Sequence, residues 1–144
     1  MTSRRDERWF AEAVKDQPFS EIPDPPTVTA AASSRTMVEA VGELVAAAGG
    51  RLEQCVVGKP AIQDPAEVII WDLQDSLDSQ LEWIRLLRSQ RSHRTIALLC
   101  SFPRGDTAEA AMDAGATAIL GRPTDCEAIR GVLSMAKTDL LASP

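Results

Sequence analysis

The chain has no uninterrupted apolar run approaching the roughly 20 residues that a membrane-spanning helix needs. Its charged start, MTSRRDERWF, leads into no apolar segment of the kind that marks a secretory signal. Both absences point to a cytoplasmic protein without membrane insertion. Positive charge is also short: 15 Lys and Arg stand against 21 Asp and Glu, a net charge of -6 that disfavours direct binding to nucleic acid. Metal-ligating side chains are sparse. A single histidine and three widely spaced cysteines, Cys55, Cys100 and Cys126, show no ligand spacing, so the thiols are expected to be reduced and to lie in or near the core. His93, in the polar stretch SQRSHR, reads as a solvated loop residue. Neither G-x-G-x-x-G after the first strand nor G-x-x-x-x-G-K-[ST] anywhere is present, which leaves a nucleotide or small-ligand enzyme as the least favoured class.

What is present fits one domain preceded by an arm. Across 144 residues, 44% hydrophobic and 25% charged residues make an ordinary globular composition. Residues 1–26 differ: Arg4 to Val14 has the spacing of a short helix carrying Trp9, Phe10, Ala13 and Val14, and DQPFSEIPDPPT then places four prolines in a short span. This polar, proline-rich arm is expected to be either partly disordered or docked through its aromatics, with the domain over 27–144.

From Thr27 the text alternates between short apolar runs and helical periods. TVTAAA, RLEQCVV, AEVIIW, TIALLC and TAIL read as five strands. Arg35–Ala48, Leu77–Leu87, Asp106–Ala114 and a last helix opened by a Thr124/Glu127 capping box read as helices; Asp106 and Glu109 have the same box spacing. The continuous apolar run of VIIW suits a parallel strand covered on both faces. The class is therefore α/β, a doubly wound five-stranded parallel sheet with helices on both faces. Such a sheet brings the loops at the carboxyl ends of its strands to one edge, and with them Ala31 to Ser34, Asp72, Ser101 and Arg122. An aspartate, a hydroxyl and a cation are the groups that accept, bond and neutralise a phosphoryl group.

Three blocks carry a resemblance to the response-regulator receiver domain over about Thr27 to Leu141. EVIIWDLQDSLDSQLEWIRLLR is similar to that family's third strand, phosphoacceptor and following helix, with Asp72 at the acceptor position. TIALLCS places Ser101 at the Ser or Thr switch position, and AMDAGATAILGRP resembles the fifth-strand segment, with Arg122-Pro123 where the family has Lys-Pro. The resemblance implies a flavodoxin-like topology with strand order 2-1-3-4-5. It also implies a partner or homodimer surface on the fourth helix, fifth strand and fifth helix of the family, here including Ala108, Met112, Ile119, Arg122 and Arg130.

The departures concern the chemistry. Where the family carries an acidic pair for Mg²⁺, this chain has Ala31 and Ala32; Arg122 replaces a lysine; Ser76 and Gln80 replace a loop proline and glycine; and Ile119 replaces the aromatic switch residue. Asp75 is the one nearby carboxylate, and Glu39 lies too far along its helix. The leading expectation is an atypical stand-alone receiver-like regulatory domain, not an enzyme, with no cofactor or metal. It would act by contact with a protein such as a signalling kinase or regulatory protein. The alternative is a conventional receiver phosphorylated on Asp72 by a histidine kinase with Mg²⁺. A permanent Arg122–Asp72 pair would close the site without chemistry.

Overall fold

The computed structural model describes residues 25–73, 77–101 and 105–142, with side chains up to Ala136 in the last helix. The sequence readings that concern residues 1–24, Asp75, Ser76, Pro103 and the side chain of Leu140 lie outside the described residues. The elements are β1 (Thr27–Ala32), α1 (Arg35–Ala47), β2 (Arg51–Val57) and β3 (Val68–Asp72). A 3-10 turn (Leu77–Gln80) leads into α2 (Leu81–Gln90), followed by β4 (Thr95–Cys100), α3 (Gly105–Ala114), β5 (Ala118–Gly121) and α4 (Cys126–Ala142). All strands are parallel, in the order β2-β1-β3-β4-β5. The expected class and strand order are those observed.

The central strands are buried along their full length, as continuous apolar runs in a parallel sheet require. Alternation divides their side chains. Val28, Ala30, Val68, Ile70, Ala97 and Leu99 pack under α1 and α4, while Ala31, Ile69, Trp71, Ile96 and Leu98 pack under α2 and α3. Burying each larger side chain contributes about 1.5–3 kcal/mol. Trp71, adjacent to Asp72, lies on the α2 side at 4% exposure, which bears out its reading as a core residue. No helix among the described residues is long and apolar enough to cross a membrane.

Several boundaries differ from expectation for local reasons. Ser34 caps α1, accepting from the Met37 amide at 3.2 Å. In α4 the cap is Asp125, not Thr124: its carboxylate accepts from the Ala128 amide at 2.9 Å, and the buried Thr124 hydroxyl has no partner among the described residues. α3 begins at Gly105, one residue before the expected cap. β3 starts two residues later than AEVIIW suggests and includes Asp72, whose neighbour across β4 is Leu99.

The β2–β3 crossover, residues 58–67, contains no helix. Pro60 and Pro65 interrupt it and remove two backbone donors. Side chains fix it instead. Trp83 donates its indole N–H to the Pro60 carbonyl at 2.8 Å; the Asp64 carboxylate accepts from the Thr29 hydroxyl at 3.0 and 2.8 Å and from the Ala66 amide at 2.8 Å. Arg94 donates to the Asp64 carbonyl and Arg91 to the Pro65 carbonyl. Arg88 donates to the carbonyls of Gly115, Arg91, Ser92 and Arg94, so the arginines of the stretch Arg85 to Arg94 largely serve the fold. β2 ends the sheet and is exposed at every residue except Val56. Cys55 is therefore exposed, correcting its placement in or near the core, while Cys100 is buried and Cys126 half-buried. His93 is exposed in its turn, as expected.

Candidate functional site

Asp72 ends β3, Ser101 follows β4 and Arg122 follows β5, so consecutive strands of the sheet deliver the three side chains to the carboxyl edge. The structure brings them into one hydrogen-bonded group. The Arg122 guanidinium donates through Nη2 to Asp72 Oδ1 and, at 2.6 Å, to the Leu73 carbonyl; its Nη1 donates to Ser101 Oγ at 3.1 Å. Asp72 is 5% exposed and the Arg122 side chain 25% exposed. The Arg122-Pro123 peptide is cis. Ser101 itself is exposed, and its hydroxyl serves as acceptor for the arginine.

Two depressions flank this group. One, of about 250 Å³, is lined by Ser33, Gly58, Lys59, Trp71, Asp72, Leu73 and Gln80. The other, also about 250 Å³ and mostly apolar, lies between α1 and the β5–α4 connection, with Met37, Ala40, Leu44, Leu99, Arg122 and Pro123 in its wall. Lys59 and Gln80 were not assigned to the site from sequence. Lys59 sits in a coil with no regular period, and its ammonium lies 4.8 Å from the centre of the Trp83 ring. Gln80 is buried, with its carbonyl oxygen lacking a partner among the described residues. A position read only as a departure from a loop glycine thus places an amide in the wall of the cleft.

Among the described residues the donor set does not fit Mg²⁺. That ion takes oxygen ligands, whereas the strand end facing Asp72 offers the methyl groups of Ala31 and Ala32, both fully buried. Asp72 is engaged by a guanidinium, and Lys59 adds positive charge to the cleft. No group of three His, Cys, Asp or Glu side chains among the described residues is placed to hold a metal. Glu39 is exposed on α1. Next to the site, burial raises the Cys100 thiol pKa; Arg122 opposes this and Asp72 adds to it.

The other assigned residues spread over α3, β5 and α4. Ala108 and Ile119 are half-buried, Met112 is 47% exposed, and Arg130 is exposed in an ion pair with Glu127 at 2.7 Å. Arg122 is turned toward Asp72.

Compared by sequence, the chain matches no family model and no curated protein. Compared by structure, it is similar to a protein named as pilus assembly-related from Burkholderia pseudomallei K96243. That match has 18% identity and a TM-score of 0.69, over 82% of this chain and 93% of that one. It is likewise similar to a protein named for pilus assembly (cpaE) from Burkholderia thailandensis E264, at 22% identity and TM-score 0.68, over 78% and 98% of the two chains. The chemotaxis protein CheY4 of Vibrio cholerae matches at 22% identity and TM-score 0.64, over 77% and 98%. The fold is that of response-regulator receiver domains.

Proposed function

We propose that this chain is a receiver-like signalling or regulatory domain that works by protein contact, without conventional Mg²⁺-dependent phosphorylation and without catalysis of its own. One observation carries the reading: the Arg122 guanidinium is seated on Asp72 in a site whose opposing strand end is Ala31-Ala32. Phosphoryl transfer is driven by positioning and by cations that offset developing charge. Here one cation is committed to the acceptor itself, and the carboxylates that would recruit another are absent from β1. The contact surface in this reading is the α3–β5–α4 side, with Met112 and Arg130 outermost and Ala108 and Ile119 beneath, and the partner is a regulatory protein, a signalling kinase or a second copy. Names given to two structural neighbours, which refer to pilus assembly, are consistent with an adaptor role.

The test is incubation with acetyl phosphate and Mg²⁺, read by intact mass beside Asp72→Asn. The expected result is no phosphoryl adduct on either protein. An adduct on the unsubstituted chain alone would overturn the proposal and establish the conventional phosphoacceptor, the alternative that the joint placement of Asp72, Ser101 and Arg122 supports.

A further inference from the structure

β2 closes one end of the sheet, and no strand pairs with its outer edge among the described residues. Leu52, Cys55 and Val57 are in register with Val28, Ala30 and Ala32, so they lie on the α1 side of the sheet. Yet Leu52 is 37% and Val57 54% exposed, and Cys55 is exposed as well. The helix passes this strand at Gly42, where a Cβ would meet Leu52 Cδ2 at 3.0 Å and Cys55 Sγ at 3.6 Å. The result is a shallow apolar track along an unpaired edge. Edge strands are ordinarily blunted by charge, proline or a covering element. Here the Arg51–Glu53 pair protects only the amino end, and Gln54 to Val57 carry no charge.

The residues before Pro25 are the favoured occupant because of where they join the domain. The Arg51 amide donates to the Pro26 carbonyl at 3.1 Å, so the chain enters beside the first residue of β2. Between Val14 and Thr27 lies a proline-rich stretch that spans about 35 Å when extended at ~3.1 Å per residue. The seven residues of β2 span about 23 Å at ~3.3 Å per residue. The tether therefore reaches every point of the track. Trp9, Phe10, Ala13 and Val14 fall on one face at helical spacing. A tethered segment is present at an effective concentration in the millimolar range, above that of a second copy in dilute solution.

We propose that the segment Trp9–Val14 lies along Leu52, Cys55 and Val57 of the same chain and covers the β2 edge. Exposure of Cys55 supplies the readout. In the full chain, alkylation of Cys55 by iodoacetamide is followed by peptide mass, with Cys126 as internal reference, and compared with the double variant Trp9→Ala/Phe10→Ala. An arm bound nine-tenths of the time predicts an increase of about tenfold in the Cys55 rate of the variant, with Cys126 unchanged. Equal Cys55 rates in the two proteins would overturn the proposal, as would a parallel rise at Cys126, which marks general loosening. Separately, Val14→Cys is expected to form an intrachain disulfide with Cys55 on mild oxidation. A disulfide-linked dimer, or Cys55 protection lost on dilution as light scattering shows dimers dissociating, would assign the edge to a second copy instead.

Discussion

At the amino edge of the sheet, Asp64 is 4% exposed and its carboxylate is held by neutral donors, the Thr29 hydroxyl and the Ala66 amide. Among the described residues the nearby Arg94 bonds the Asp64 backbone carbonyl and not its carboxylate. At the carboxyl edge, Asp72 is 5% exposed and its carboxylate meets Arg122 directly. Burial differs chiefly in the arginines. Arg94 is 3% exposed, with two guanidinium nitrogens lacking hydrogen-bond partners among the described residues; its pKa is lowered first by burial and then by Arg91, against the pull of Asp64. Arg122 is 25% exposed and borders the apolar depression, while Asp72, its partner, lines both. The amino-edge group cannot part without stranding buried polar atoms, so it fixes the helix-free crossover. The carboxyl-edge pair lies nearer the surface, with part of the Arg122 side chain open to solvent.

The sharpest break in that contrast is Asp64→Ala. It leaves the Thr29 hydroxyl and Ala66 amide unpaired and should lower stability by about 3 kcal/mol in urea denaturation. A loss under about 1 kcal/mol would show that the crossover does not depend on this carboxylate. Arg122→Ala should cost less, about 1–2 kcal/mol, because Asp72 is left buried beside a wet cleft that water can enter. A double-variant cycle with Asp72→Ala should return a coupling of similar size. Equal costs at the two edges would collapse the comparison. The smallest effect concerns Cys100. Its folded pKa is raised above the ordinary 9.0, so its contribution is present below pH 9.0 and is lost as pH rises through the folded value. Thermal unfolding midpoints should therefore decline above pH 9.0, more steeply in Arg122→Ala, where the opposing cation is gone, and with a shallower slope in Cys100→Ala.

The parallel sheet was legible because the apolar runs at β3 and β4 are too continuous for a strand with one wet side, and because strand ends place Asp72, Ser101 and Arg122 on one edge. The Arg122–Asp72 pair was among the readings of the sequence, since opposite charges delivered by nearby strand ends tend to meet. Other features have no local signature. The Asp64–Thr29 bond joins residues 35 apart, and nothing near either marks the other. Cys55 sits in apolar text that reads as core, and its exposure follows from the sheet ending at β2, where α1 passes with only Gly42 against it. Thr124 and Asp125 are both good caps, and only the start of α4 at Cys126 selects the second. Lys59 and Gln80 reach the cleft through three-dimensional closure of segments without period.

Trp83 ties α2 to the crossover through Pro60 and carries Lys59 against its ring, beside the cleft that holds Asp72. Trp71, by contrast, is 4% exposed and packs in the core, with only an edge on the same cleft. Among the described residues Trp83 is thus a built-in optical reporter, a half-buried indole whose colour and quenching register whatever draws the lysine or the crossover away. Arrival of a partner at this edge can be followed by light from the unlabelled protein, with Trp83→Phe identifying which indole reports it.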